Sequence, residues 1–537
     1  MQGLFKFGLL AAAASLCRAA FKEGCADAAW DSDTDYFLQK FDGDKHIPFV
    51  PVYNKTYVTI RNRQHRHVVL HCSKQAPPRS LVGEKALIVQ VPVKNVAALD
   101  GFSQNMIEVS IILSIHFTAN CTDTVKMLGL STTIKRTGAY SDVTSSCVRG
   151  NMKDKVTYDD EHWGDAAEVD VTFYGDTTQP DDKKVLIYNV GNHAPLTQLA
   201  YIKFISMFYG VEELGTKLYD EIAASYRCAA ANVQQAIVAG SYPKGAFISP
   251  IRKDGDKFTV FQSAWWNTIL SDAGSRLVNV SADGQVAGQG NPTKPGIVSI
   301  SANSEGNVFA KNSWAVIDTT QYDQLPGKQA PKQSPHSDRV TADTYAARSG
   351  ASKNIYAVAN NNVYLVDKAE NRNLRHNFND RGSARPDLAL RDIISIVSPK
   401  LNPDYTTQFM RPVSKPDDTI ALRRYTNTCA VKGKEIETLN ITSCAMPAWM
   451  NGFNSTGISP NAYGRADDTE SLALTSGGGG LSGGQKAGIA VGAVVGFLVI
   501  AAAVVFGLFK WRRASAEKKK KKEAEMHQIE KGSISSD

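Results

Sequence analysis

The chain has 537 residues, 43% of them hydrophobic and 21% charged, the balance of a folded protein long enough for two or more packed cores, which excludes disorder throughout. Its formal net charge is +7, yet Lys510 to Asp537 hold nine basic and five acidic residues, and Lys6 and Arg18 add two more positive charges near the start. The body between is nearly neutral and offers no electrostatic footprint for nucleic acid, so no nucleic-acid partner is expected.

The chain opens as a secretory signal does: Lys6, the apolar run Phe7 to Leu16, then Cys17 and Ala19 at the minus-three and minus-one positions of a cleavage site. Residues 1–19 are therefore expected to be removed. Cleavage takes Cys17 away and leaves Cys25, Cys72, Cys121, Cys147, Cys228, Cys429 and Cys444 in an oxidising compartment. The odd count leaves one over. Sequence proximity makes Cys121/Cys147, Cys429/Cys444 and Cys25/Cys72 the candidate pairs, and Cys228, in a helical pattern, the expected free thiol. Sequons at Asn54, Asn120, Asn279, Asn440 and Asn454 agree with a secreted, glycosylated ectodomain.

Two short apolar runs, His67 to His71 and Ala86 to Val93, read as strands. His65, His67 and His71 share a face of the first beside Cys72, which has the look of a metal cluster. The group lacks a well-spaced carboxylate, and H-E-x-x-H occurs nowhere, so solvent-exposed strand histidines and no bound metal are expected. Asp159, Asp160 and Glu161 fall in a polar stretch and read as a solvated loop rather than an acid/base pair. Val169 to Phe173 and Val185 to Val190 are further strands.

From Gln198 to Ala231 the period changes. Leu199, Ile202, Ile205, Phe208, Val211, Leu214, Leu218 and Ile222 recur every three or four residues, which predicts one long amphipathic helix interrupted only by Gly210 and Gly215. Strands follow at Ala246 to Pro250, Phe258 to Phe261, Ala315 to Asp318 and Ile355 to Ala359, with an exposed loop at Gln321 to Asp343. Strands and helices on both sides of the long helix imply an α/β fold of two lobes, with a cleft between them as the favoured place for a ligand. Aromatic residues gather where that cleft is expected. Phe261, Trp265 and Trp266 stand where a strand passes into a helix, and Trp163 precedes the strand at Val169. Large flat side chains there suit a large planar ligand, the alternative being that one tryptophan is core.

From 466 to 486 the chain turns to Ser and Gly, the composition of a flexible stalk. Leu481 to Gln485 spells a transporter-ATPase signature, but no phosphate-binding loop accompanies it. Gly480, Ser482 and Gly484 fit a nucleophile-elbow spacing without the strand and helix that an elbow needs. Ala487 to Phe509 is twenty-three residues without a charge, roughly 34 Å as a helix against a hydrocarbon core of about 30 Å. Lys510, Arg512, Arg513 and the run Lys518 to Lys522 follow at once, which sets the tail in the cytosol. The expectation is a single-pass type I protein of the plasma membrane or an endomembrane, its tail lysines against acidic lipid. Gly488, Gly492 and Gly496 put small residues on one face of that helix.

Four segments carry a family resemblance. They are Val91-Pro-Val-Lys-Asn-Val-Ala, Tyr201-Ile-Lys-Phe-Ile-Ser-Met-Phe-Tyr-Gly with Glu212 and Glu213, Ser263-Ala-Trp-Trp-Asn-Thr-Ile-Leu-Ser-Asp-Ala-Gly, and Arg385-Pro-Asp-Leu-Ala-Leu-Arg-Asp-Ile-Ile-Ser-Ile-Val-Ser-Pro. They resemble substrate-binding proteins of the cobalamin and ferric-siderophore type, over roughly residues 86 to 400. The resemblance implies the periplasmic-binding-protein architecture: two Rossmann-like lobes at about 60–195 and 240–400, a rigid linking helix at about 198–231, and small hinge motion. A C-terminal extension, 401–465, completes the ectodomain. With a leader and an anchored basic tail added, the whole resembles the cobalamin acquisition proteins of eukaryotic algae. Two departures from the bacterial pattern are the anchor itself and an insertion at Ile111 to Thr124, and both argue against direct delivery to a bacterial-type permease.

By that resemblance the protein is no enzyme and carries no cofactor of its own. It would capture cobalamin ahead of uptake, with a transporter or endocytic receptor as partner. The corrin would lie against Phe102, Ser103 and Tyr140 of the first lobe and Phe261, Trp265 and Trp266 of the second, with Trp163 closing the side. A ferric siderophore or haem on the same scaffold is the near alternative. An anchored hydrolase, which needs a nucleophile with an adjacent base, and an adhesion or signalling receptor without a small ligand are alternatives of other classes.

Overall fold

A computed structural model describes residues 21–41, 49–62, 67–104, 106–107, 133–137, 143–145, 148, 156–157, 169–174, 184–186, 193–240, 247–254, 257–278, 297–301, 313–320, 339–351, 353, 355–371 and 375–421. The chain divides into two compact units, Met1–Asp467 and Asp468–Asp537, and every described residue belongs to the first. The expected membrane span at 487–509 lies outside the described residues. Among the described residues no helix is long and apolar enough to cross a membrane.

The first unit starts with a four-stranded sheet in the order β1-β2-β3-β4, formed by Phe49–Asn54, Tyr57–Asn62, Val68–His71 and Leu87–Gln90. The first three strands are antiparallel and β4 runs parallel to β3. Between β3 and β4 the short helix α1 (Arg79–Val82) packs Val82 onto Val69. A disulfide joins Cys25 to Cys72, just past β3, with Cα atoms 5.6 Å apart. Cys72 is therefore spoken for, and His71 departs from the exposed position expected of it: it is 4% exposed, its Nδ1 lying 3.4 Å from the Ser73 hydroxyl. The reason is that β3 is an interior strand, all four of whose residues are buried.

The second sheet takes β5 (Val96–Ala98), β6 (Ile134–Thr137), β7 (Val156–Thr157), β8 (Val171–Tyr174) and β9 (Lys184–Leu186) in the order β7-β6-β5-β8-β9, every pair parallel. In relative terms that is 3-2-1-4-5, the doubly wound order, and the strand order reverses between β5 and β8. Val96, Ala97 and Ala98 are fully buried, as a strand covered on both faces requires.

The linking segment departs from one continuous helix. It forms α2 (Pro195–Leu199), α3 (Tyr201–Tyr209) and α4 (Glu212–Val238). The break falls at Gly210, whose φ of 67° is left-handed and whose missing side chain makes room for the Phe21 ring. Gly215 interrupts nothing. It lies inside α4, where a Cβ would collide with Ser206, and so lets α3 and α4 approach closely. At 27 residues α4 is about 40 Å long.

The third sheet orders β13 (Ile297–Ser301), β11 (Lys257–Phe261), β10 (Phe247–Asp254), β14 (Ala315–Asp318), β15 (Val363–Leu365) and β17 (Arg411–Pro412), with β12 (Arg276–Leu277) also on β10. Strands β10, β12, β14 and β15 are parallel, and the rest antiparallel. A small parallel pair joins β16 (Ala369–Glu370) to β18 (Ile420–Ala421). Around these lie α5 (Ala264–Asp272), α6 (Ala342–Ser349), α7 (Tyr356–Ala359), α8 (Phe378–Ala384) and α9 (Pro386–Val397).

The run Ile355 to Ala359, expected as a strand, is thus helical. Ile355 is its extended N-cap, and the turn through Asn361, at φ 56°, hands the strand to the next apolar run, Val363–Leu365. Cys228, expected free, is disulfide-bonded. Its side chain is only half-buried on α4, so a helical position gives it no shelter from oxidation. The candidate partners Cys121, Cys147, Cys429 and Cys444 lie outside the described residues.

All nine residues of α3 are buried, and one apolar cluster runs from Phe49 of β1 through α3 and α4 to α5 and α9. Phe204 anchors it, with ring centroids 5.1 Å from Phe49 and 5.2 Å from Phe208, which in turn meets Phe173 of β8 at 5.1 Å. A second cluster sits inside the third sheet, around Val316, Val363 and Tyr345.

Candidate functional site

In an open parallel sheet the crevice lies beyond the strands' carboxyl ends, at the point where their order reverses. In the first lobe that point is the end of β5, where the chain turns into residues 101–104, which are helical. Asp100 holds the turn: it accepts the Ser103 amide at 2.9 Å and the Ser103 hydroxyl at 2.8 Å. Gln104 donates its amide to the Ala98 carbonyl at 3.1 Å, while its Oε1 is buried without a hydrogen-bond partner. Phe102 is 1% exposed and meets Tyr201 edge-on at 6.2 Å.

In the second lobe Ser263 caps α5 by accepting the Trp266 amide at 3.4 Å, which brings the two tryptophans forward from the end of β11. Trp265 and Trp266 stand edge to face at 4.9 Å, and Phe378 of α8 covers both at 5.9 and 5.7 Å. Phe409 backs Phe378 at 5.7 Å. Each tryptophan is only 6% exposed, and among the described residues the Trp265 indole N–H has no acceptor. Phe261 is half-buried with the Arg252 guanidinium 5.8 Å over its ring.

Phe102, Ser103, Trp265 and Trp266 therefore sit at the lobes' facing edges but are packed rather than open, because Asp100 uses the Ser103 hydroxyl and α8 covers the indoles. Tyr140 and Trp163 lie outside the described residues. So do Asn120, Asn279, Asn440 and Asn454. Asn54 is exposed at the β1–β2 turn.

The lobes share the apolar cluster and also touch through polar groups. Thr144 donates to the Asp380 carboxylate at 3.0 Å, Asn371 donates to the Val143 carbonyl at 3.0 Å, and a Cβ on Gly101 would fall inside the Asp380 carboxylate. Behind this seam is a charged set whose cations are buried while Asp418 reaches the surface. Arg411 pairs with Asp367 at 2.7 Å, Lys368 with Asp418 at 2.7 Å, and Arg339 with Glu370. Burial pushes the Glu370 carboxyl up to about 7 against the pull of Arg339, and pushes His376 down to about 4, so the imidazole is neutral at neutral pH. Among the described residues Asn377 Oδ1, Asp367 Oδ1 and Arg411 Nε are buried without partners, and the buried His376 imidazole has the Thr319 backbone as its one polar neighbour in reach. Orphaned polar atoms at this density mark a place where water or a ligand's polar groups complete the bonding. Among the described residues no group of three or more His, Cys, Asp or Glu is placed to hold a metal ion.

The aromatic residues of this site carry a signal in the sequence. Gln104, Asn371, His376, Asn377 and Asp380 carry none, since a polar residue reads as surface until the fold buries it.

No protein-family model matches the chain, and no curated protein matches it. Solved structures give fold-level likenesses. A periplasmic binding protein from Veillonella parvula is 12% identical over 57% of this chain and 90% of its own, with a TM-score of 0.38. The periplasmic vitamin B12 binding protein of Vibrio cholerae is 11% identical over 57% of this chain and 97% of its own, at 0.36. A periplasmic heme binding protein from Pseudomonas aeruginosa is 10% identical over 60% and 98%, at 0.37. The α/β description rests on the chain's own strand order.

Proposed function

We propose that this protein is a membrane-anchored binding protein that captures a large cobalt- or iron-containing small molecule, cobalamin in the first place, outside the cytosol and ahead of uptake. The observation that supports it most is the position of Gly101–Gln104, at the reversal of strand order in the first lobe and opposite the Trp265–Trp266 pair and the polar seam of the second. An apolar aromatic wall beside orphaned donors and acceptors suits a ligand with a broad ring and a polar rim. The anchor and basic tail of the sequence would keep that ligand at the membrane for a transporter or endocytic receptor. The resemblance to cobalamin acquisition proteins ranks cobalamin above ferric siderophores and haem.

Titration calorimetry of the full-length chain in detergent, with cyanocobalamin and with ferrioxamine B in parallel, tests the reading. Saturable heat with cyanocobalamin alone is the expected result. Heat with ferrioxamine alone moves the ligand to the siderophore class. Heat with neither favours a receptor without a small ligand, an alternative to which the 6% exposure of both tryptophans lends support.

A further inference from the structure

At the carboxyl end of β5 one side chain of α8 crosses the seam. Helix α8 is a short wedge with two working faces: Phe378 lies on Trp265 and Trp266 of its own lobe, and Asp380, two residues on, crosses to the first lobe. There its carboxylate accepts the Thr144 hydroxyl at 3.0 Å and fills the space over Gly101 that any other residue's Cβ would take. Gly101 has no left-handed φ, so its backbone suits alanine, and the close approach of Asp380 is what reserves the position for glycine. This contact falls at the carboxyl end of β5, where the strand order reverses.

We propose that Asp380 is a built-in plug: in the free protein α8 occupies the crevice at Gly101 and Thr144, and a ligand entering between the lobes must displace it. The proposal rests on the binding-protein reading for what the ligand is, but the plug itself is a property of the free chain. Its consequence is a tax on affinity. If only a small fraction of molecules is open at any time, the apparent dissociation constant rises by the inverse of that fraction.

Hydrogen exchange of the full-length chain, read by mass spectrometry on peptides covering residues 99–107 and 375–385, tests the plug without ligand. Asp380→Ala is expected to speed exchange in both segments about tenfold, the scale of one charge-assisted hydrogen bond. Gly101→Ala is expected to do the same from the other side, by excluding the carboxylate. The double variant is expected to exchange no faster than Asp380→Ala, because alanine at 101 fits the space that Asp380 has left. Unchanged exchange in Gly101→Ala, or a double variant whose effect is the product of the two, overturns the proposal. Because the two single changes act on different lobes, misfolding of one leaves the other to decide. In a second arm cyanocobalamin is titrated against wild type and Asp380→Ala. About tenfold tighter binding to the variant is expected, and equal affinity alongside faster exchange shows that α8 and ligand do not compete. Absence of binding to either protein defeats the cobalamin reading, and the exchange result still decides the plug.

Discussion

Behind the first-lobe sheet Phe49, Phe173, Phe204 and Phe208 meet ring to ring, whereas at the seam between the lobes the touching groups are Thr144, Asn371 and Asp380, with His376 and Asn377 buried close by. Ring packing fixes the architecture through close contact over a large apolar area and offers a ligand no polar group. The seam works by directional bonds, several of them left incomplete. The contrast separates what holds the lobes up from what they offer to a ligand, and it says where substitution will be felt as stability and where as opening.

The largest effect is expected in the apolar region. Phe204→Ala removes a ring shared by Phe49, Tyr201 and Phe208 and should cost about 3–5 kcal/mol in urea unfolding; a cost below about 1 kcal/mol would mean the cluster is not the continuous core described. Next comes a buried polar group outside the seam. Asp392, fully buried, accepts the Tyr405 hydroxyl at 2.7 Å and the amides of Phe409 and Met410 at 2.7 and 3.0 Å. Asp392→Ala should cost roughly 3 kcal/mol by the same assay, because it orphans those donors together.

A pH series sharpens the comparison at the α3–α4 break. Glu212 is 2% exposed with Oε2 unpartnered, and burial pushes its carboxyl from 4.5 up to about 8. Between those values the folded chain keeps a proton that the unfolded chain has released, so stability falls as pH rises through that window. His376, held at about 4 against 6.5 unfolded, acts oppositely: the unfolded chain holds the extra proton, and stability is lost as pH falls from 6.5 to 4. Glu212→Gln should therefore remove the alkaline loss, leaving the variant more stable by roughly 2 kcal/mol at pH 8.5, with the advantage gone below pH 5. Equal pH profiles in thermal unfolding would contradict the buried carboxyl. The smallest effect belongs to the seam. Thr144→Ala removes one hydrogen bond between lobes and should change global stability by less than about 1 kcal/mol; a core-sized loss would show that the seam is structural after all.

The sequence carried the apolar half of this picture well. Alternation and apolar runs place β14 at Ala315–Asp318 and locate β3, β4, β8, β10 and β11 to within a few residues, because strand burial leaves its mark on neighbouring positions. The linking helices were legible as periodicity, but the break at Gly210 was not, since a glycine ends or merely dents a helix according to what packs on it, here Phe21 from nearly 190 positions away. Ile355 to Ala359 reads as a strand because five apolar residues carry no period that separates strand from a helical turn. Trp265 and Trp266 were found as a pair, while their cover, Phe378, lies more than a hundred residues on. Asp380 and Thr144, 236 positions apart, look like ordinary surface residues in any local window.

The claim that the seam is the binding site is tested most directly by hydrogen exchange of the full-length chain with and without saturating cyanocobalamin. Protection that changes in residues 99–107 and in 375–385 together, while the α3 peptide stays constant, is the predicted result. Bound cyanocobalamin that leaves both segments unchanged would contradict it.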